Sequence, residues 1–286
     1  MVNNKADNYM YESIINIQEH GHKDVNPRPK WHDGTPAHTL SVNGVMHSYN
    51  IAEGEFPLTN LRRVVFKKAI GEILWIYRDA SNDLNDLSEK YGIKWWDDWD
   101  CGDRTIGECY GKTVSNYDIM RNCLEGIAKD PYGRRHITNL WQYEDFNKPH
   151  GLKPCCYQCQ YLVHDEYIDM IMYQRSSDWL TAGNVNQIQY VAQLMMVAKH
   201  LGYKPGMFYH VIANQQIYDR HMDQADIMVS RYLDIEYAEE QNIFKPVPKL
   251  IFEPKEGTDY WSYSVDDFRV EDYEPIEPQL KFEVAV

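Results

Sequence analysis

Apolar residues recur near helical spacing across residues 61–77, LRRVVFKKAIGEILWIY, where Leu61, Val64, Val65, Ala69, Ile73 and Ile76 share a side. Few breakers interrupt the run, so the pattern predicts a largely buried helix, with one carboxylate, Glu72, in its apolar half. Residues 186–200 repeat that character and end at Leu201-Gly202, predicting a second buried helix. Elsewhere the period drops to two. TLSVNGVMHSY predicts a hairpin, because Asn43-Gly44 supplies the positive φ angles of a tight turn. YQCQYLV and YIDMIMYQ, separated by His164, Asp165 and Glu166, predict another. MFYHVIANQQIY and VPKLIFEP add strands around a further helix, and the chain closes on the apolar LKFEVAV. Strands interspersed with long helices predict an α+β (mixed α/β) fold, a large mixed sheet covered by helices. No repeat, low-complexity tract or proline-rich linker divides the chain, so 1–286 reads as a single domain.

Composition narrows the function. The 286 residues are 43% hydrophobic, enough for one large core. With 43 acidic against 29 basic residues the net charge is −14, which opposes a broad electrostatic footprint for nucleic acid or anionic membrane. The opening MVNNKADNYMYESIINIQEH has no basic segment followed by an apolar stretch, and no run of 18 apolar residues occurs, so a cytoplasmic protein is expected. In that reducing compartment, six irregularly spaced cysteines read as free thiols.

Three of those cysteines fall together in LKPCCYQCQYLV. Cys156 and Cys159 form a C-x-x-C pair, yet Cys101, Cys109 and Cys123 offer no second tight pair for a structural zinc. A redox pair normally starts at a helix N-terminus, whereas this one lies in a strand. No metal is therefore expected. If the hairpin turns about Asp165 alone, Cys155 faces Arg175 with Cβ atoms about 5 Å apart. A two-residue turn puts Cys156 there instead, so spacing leaves the choice of sulfur open. Either way a guanidinium lies beside a thiol and favours the nucleophilic thiolate. With a regular pleat, Cys159 shares a face with Cys155. Downstream, Arg175, Ser176, Asp178 and Asn186 supply a cation, a hydroxyl, a carboxylate and an amide, groups suited to a phosphate and a planar base. Tandem Arg134 and Arg135, in a loop of an acidic chain, are what would gather an anionic substrate.

Taken together, these segments resemble the thymidylate synthase family over nearly the whole chain. Pro154, Cys155 and Gln160 match its nucleophile signature; Arg175, Ser176 and Asp178 match its R-S-x-D element; Asn186 and Tyr218 follow at gap-free spacing. The resemblance implies reductive methylation of dUMP to dTMP, with Cys155 adding to C6 of uracil and 5,10-methylenetetrahydrofolate as co-substrate giving both methylene and hydride. It implies phosphate contacts from Arg28, Arg175 and Ser176, a base contact from Asn186, ribose contacts from Gln216 and Tyr218, and Gln174 among the other dUMP-binding residues. Glu72 and Tyr110 take proton-transfer roles, while Trp96, Trp99, Asp178 and the terminal Val286 face the folate. A homodimer joined through the sheet face is implied as well, with Arg134 and Arg135 reaching across to the partner's site.

Departures are specific. Cys156 and Gln216 stand where relatives often have histidine, and Thr181-Ala182-Gly183-Asn184-Val185-Asn186 replaces the usual L-G-x-P-F-N. The alternative within the superfamily is a pyrimidine hydroxymethylase acting on dUMP or, less readily given Asn186, on dCMP. Trp96 and Trp99 favour reduction to methyl by shielding the intermediate. A non-enzymatic, RNA-binding relative is opposed by the net charge of −14 and by the full set Cys155, Arg175, Asp178, Asn186, Tyr218 and Glu72.

Overall fold

The computed structural model describes residues 2–286. One mixed sheet contains β1 (His22–Lys23), β2 (Thr39–Asn50), β3 (Ile137–Asn139), β4 (Cys156–His164), β5 (Tyr167–Gln174), β6 (Ser177–Asp178) and β7 (Lys204–Tyr218). Their spatial order is β1-β2-β7-β5-β4-β3, with β6 also on β7. β7 runs parallel to β5 and β6 and antiparallel to β2. A separate ribbon joins β8 (Lys249–Phe252) to β9 (Phe268–Glu271). The α-helices are α1 (Lys5–His20), α2 (Phe66–Ile73), α3 (Leu84–Tyr91), α4 (Gly111–Asn116), α5 (Ile119–Lys129), α6 (Asn184–Leu201) and α7 (Met222–Glu240).

α6 is buried on nearly every side and lies against β5, β7 and α2, as its near-continuous apolar sequence demands. A π-helical turn at Trp179–Gly183 leads into it, and Gly183 is needed there because an added Cβ would lie 2.4 Å from the Trp179 ring. Gly202, at φ +78°, ends the helix in the left-handed conformation. α2 likewise runs on into a π-helical turn, Leu74–Arg78. Such turns widen a helix locally and recur beside functional sites.

Two expectations need correction. The helix expected over 61–77 begins only at Phe66, because the stretch before it is bound by distant groups: Val64 N–H donates to Tyr273 Oη at 2.7 Å and Leu61 C=O accepts from Arg231 at 2.6 Å. The hairpin expected about Asn43-Gly44 does not form. Gly44 does take a positive φ of +73°, but the chain continues straight as β2, and β7 offers a long partner in one register on both sides of it, Asn43 opposite Asn214 and Val45 opposite Ile212. Tertiary pairing outweighs the local turn signal.

The sheet has two unlike faces. Ile168, Met170 and Met172 of β5 and Phe208, His210 and Ile212 of β7 are buried. Their alternates Ile171, Tyr173, Tyr209 and Val211 stay half-buried, leaving an apolar opposite face. No helix among the described residues is long and apolar enough to cross a membrane.

Candidate active site

Which cysteine stands beside Arg175 is decided by an irregularity in β4. Asp165, at φ +48°, and Glu166 form a two-residue turn that pairs His164 with Tyr167, and this register runs back to Gln158 opposite Tyr173. Continued unchanged, it would bring Cys156 to Arg175. Instead the ladder bulges between Gln158 and Cys156, so Cys156 pairs with Gln174 and Arg175 N–H donates to Cys155 C=O at 2.9 Å. The bulge also ends the regular pleat. Cys159 therefore shares the buried face with Cys156, not with Cys155 as a regular strand would require.

Cys155 lies in the wall of a cavity of about 450 Å³, within the range of small-molecule sites. Burial pushes its thiol above the ordinary 9.0, opposed by Arg175, a hydrogen bond with Tyr110 and Arg28. Arg175 is tied to the loop carrying the thiol: Nε donates to Pro154 C=O at 3.0 Å and Nη2 to Lys153 C=O at 2.8 Å, while the guanidinium lies over Trp141. Tyr110 Oη accepts from Cys155 N–H at 3.1 Å. Its backbone is held at φ +49°, ψ −114°, a sparsely populated conformation of the kind that clusters at functional sites.

The same cavity gathers nearly all the other candidates. Glu72 and Tyr110 face it beside Trp96 and Trp99; Arg28, Ser176, Gln216 and Tyr218 line another part; Gln174, Asp178, Asn186 and Val286 complete the set. Burial raises the Glu72 carboxyl, which accepts a short hydrogen bond from Trp95 Nε1. Asn186 is oriented on both atoms, its Oδ1 accepting from Gln174 Nε2 at 3.0 Å and its Nδ2 donating to Gln189 Oε1 at 3.0 Å. Asp178 receives Thr181 Oγ1 on Oδ2, while Oδ1 is buried without a partner and its pKa is raised by burial. Trp96 Nε1 is a second buried, unpartnered group on the wall. Tyr218 packs on Trp31 and His221, and burial pushes its phenol up.

The C-terminal segment closes one side. Val286 exchanges two backbone hydrogen bonds with Lys30, at 2.7 and 3.0 Å, and Val284 and Ala285 line the cavity with it. Arg220 fastens the segment from outside by bonding both Glu283 and Asp33. Arg134 and Arg135 are not brought to this cavity; both are exposed beside β3, Arg135 facing Asp130 at 3.7 Å. Among the described residues no group of three or more His, Cys, Asp or Glu side chains converges as metal ligands.

Several lining groups escaped sequence reasoning. Arg62 and Arg63 lay hidden in the expected helix; Arg62 is buried, bonds Thr181 C=O at 2.9 Å, and is pulled down to about 10 by burial. Gln189 was findable, since it stands three residues beyond Asn186 on one helix face. His210, which lies behind the wall and bonds the lining Gln174 at 2.7 Å, carried a signal too, a polar side chain on the apolar face of a strand between Phe208 and Ile212.

The family described as thymidylate synthase matches residues 8–286. A thymidylate synthase of Lactococcus lactis subsp. cremoris (strain SK11) is 42% identical over 286 residues, covering 98% of this chain and 99% of that protein. One of Streptococcus suis (strain 05ZYH33) is 40% identical over 288 residues, covering 99% of each. The solved structure of thermostable thymidylate synthase A from Bacillus subtilis matches with a TM-score of 0.86 at 30% identity, covering 98% of this chain and 99% of that one.

Proposed function

The chain belongs to the thymidylate synthase family, and on that premise we propose how its own residues convert dUMP to dTMP. It is a folate-dependent methyltransferase. The observation that carries the assignment of residues is the β4 bulge, which sets Cys155, not Cys156, beside Arg175 in the cavity that also holds the oriented Asn186 amide. Cys155 sulfur bonds to C6 of uracil, the C5–C6 π pair moves to C5, and C5 becomes the carbon that accepts the one-carbon unit. Asn186 reads the base: Oδ1 accepts N3–H and the second Nδ2 hydrogen reaches O4. Ser176, Arg175 and Arg28 hold the phosphate, and Gln216 and Tyr218 the ribose. Glu72 and Tyr110 move protons near the base and at the thiol.

Methylenetetrahydrofolate supplies the methylene and the hydride. The residues present fit it: Asp178 Oδ1 is a buried acceptor with no protein donor, suited to a pterin N–H, and Trp96 and Trp99 offer ring faces. Val286 and the segment before it cover the bound pair. The chain works as a cytoplasmic homodimer, joined through the half-buried face of Ile171, Tyr173, Tyr209 and Val211, with the exposed Arg134 and Arg135 completing the partner's phosphate site. Mass analysis of the product from dUMP and methylenetetrahydrofolate tests the reading. dTMP is expected; a product heavier by one oxygen is hydroxymethyl-dUMP and overturns it.

A further inference from the structure

KWWDDW holds a tryptophan that the family resemblance leaves without a role. Trp96 and Trp99 are the matched pair, and Trp96 turns toward Trp99, Tyr110 and Trp75. Trp95 lines the same cavity beside it. Its ring is half-buried beneath Lys68 Nζ, 5.9 Å from the ring centre, and its Nε1–H donates to Glu72 Oε2 at 2.5 Å. Among the described residues this short contact is the one hydrogen bond made to that carboxylate, although Trp96 and Gln189 stand near enough to favour its charged form too. Both nearby donors, Trp96 Nε1 and Gln189 Nε2, are buried and unpartnered.

We propose that Trp95 is the positioning residue for Glu72: its indole N–H fixes Oε2 and favours the carboxylate over the acid, leaving Oε1 and the two idle N–H groups for water or the reacting base. The inference rests on the proton-transfer role given to Glu72 above. A carboxylate with 6% exposure needs donors to remain charged, and a single indole N–H, unlike a lysine, supplies one without adding a positive charge that would compete for the substrate phosphate. The other titratable groups around this carboxylate do not substitute for it. Cys156, across the cavity, and Tyr190, on α6, are held neutral by burial. Tyr91, on α3, covers Gly71 on the same helix and is pushed up by burial. Asp266 and Asp267 lie in a turn packed on α2, and Lys67 and Lys68 lie on α2 itself; none of these four bonds Glu72.

The test is Trp95→Phe, which keeps a ring and removes the donor. The acid limb of kcat against pH should move upward by about one unit, a tenfold loss of turnover on that limb, with KM for dUMP within about twofold. In a Glu72→Gln background the same change should leave residual turnover unaltered. An unmoved limb, or an equal loss in both backgrounds, overturns the proposal; the second result would make Trp95 only a wall of the folate site. If the Phe variant does not fold, Trp95→Leu, which likewise carries no side-chain donor, makes the same comparison. Undiminished turnover in Glu72→Gln alone removes the role of Glu72, whereas an inactive Glu72→Gln with an unmoved limb in Trp95→Phe removes this inference and leaves that role standing.

Discussion

His210→Phe should loosen the discrimination between uracil and cytosine without touching either base. His210 is fully buried, and burial holds its pKa well below the ordinary 6.5, so the ring is neutral. Gln174 Nε2 donates to Ser176 C=O at 2.9 Å and to Asn186 Oδ1 at 3.0 Å, which uses both its hydrogens. Gln174 Oε1 must then accept, so the 2.7 Å contact fixes the proton on His210 Nε2. That choice propagates. With Oδ1 anchored by Gln174 and Nδ2 by Gln189, Asn186 presents an acceptor to N3–H and a donor to O4, the complement of uracil; flipped, it would suit cytosine. Flipping breaks two buried hydrogen bonds, at about 1–3 kcal/mol for each group left unpaired, which amounts to a preference of roughly thirtyfold to more than ten-thousandfold. Phe at 210 removes the donor that fixes Gln174 and leaves its Oε1 buried and unpaired. The expected outcome is a tenfold to hundredfold loss of kcat/KM for dUMP, about 1.4–2.8 kcal/mol, with a smaller dUMP-to-dCMP preference in competitive binding. An unchanged preference alongside a lowered Tm would refute the relay and leave His210 a packing residue.

Cys155→Ser should abolish turnover while dUMP still binds, and Cys156→Ala should be partly tolerated; comparable losses in a steady-state assay would count against the ranking of the two thiols. Removing Val286 deletes two backbone hydrogen bonds to Lys30, so KM for the folate should rise about tenfold, read by titration at saturating dUMP. Arg220→Ala should do less, because its pairs with Asp33 and Glu283 are exposed and screened by solvent. Asp7, buried beneath Thr59 and Asn60, is raised from 3.8 to about 6 by burial. Because the folded state holds the proton more tightly, stability from this group is complete below about 4 and lost as pH rises through about 6. Chemical denaturation should therefore show wild type gaining roughly 2.4 kcal/mol on Asp7→Asn between pH 7 and 4, and a constant gap would contradict the assignment.

Long periodic segments were legible in the sequence because their burial pattern is set by one dominant contact surface. α6 and β7 stand close to where the apolar pattern puts them, and the 164–166 turn closes its hairpin. α1 was legible but unread: Asn4 caps it, accepting from Ala6 N–H at 3.0 Å, and Met10, Ile14 and Ile17 carry the helical spacing. What failed was decided by distant partners. The start of α2 depends on Tyr273 and Arg231, more than 160 residues away, and the straightness of β2 depends on β7. The β4 bulge belongs to this class as well. Tyr157 C=O at the bulge accepts from Leu140 N–H at 2.7 Å, so the extra residue is accommodated by the neighbouring edge, which no local pattern in LKPCCYQCQYLV announces.

The bulge sets Cys155 beside Arg175, and the surroundings of that thiol constrain how the proposed addition would run. Burial outweighs Arg175, Tyr110 and Arg28 and holds the Cys155 thiol above its ordinary range, toward the protonated form. A bound phosphate dianion would partly neutralise the same arginines and push the thiol higher still. Activation by cations alone therefore runs against substrate binding. In the proposed mechanism the proton leaves in step with addition to C6, and the Tyr110 hydroxyl, which accepts from Cys155 N–H, stands where it could take part in that transfer. A strained backbone at Tyr110 is then the cost of holding a phenol where a freely rotating one would seldom stand.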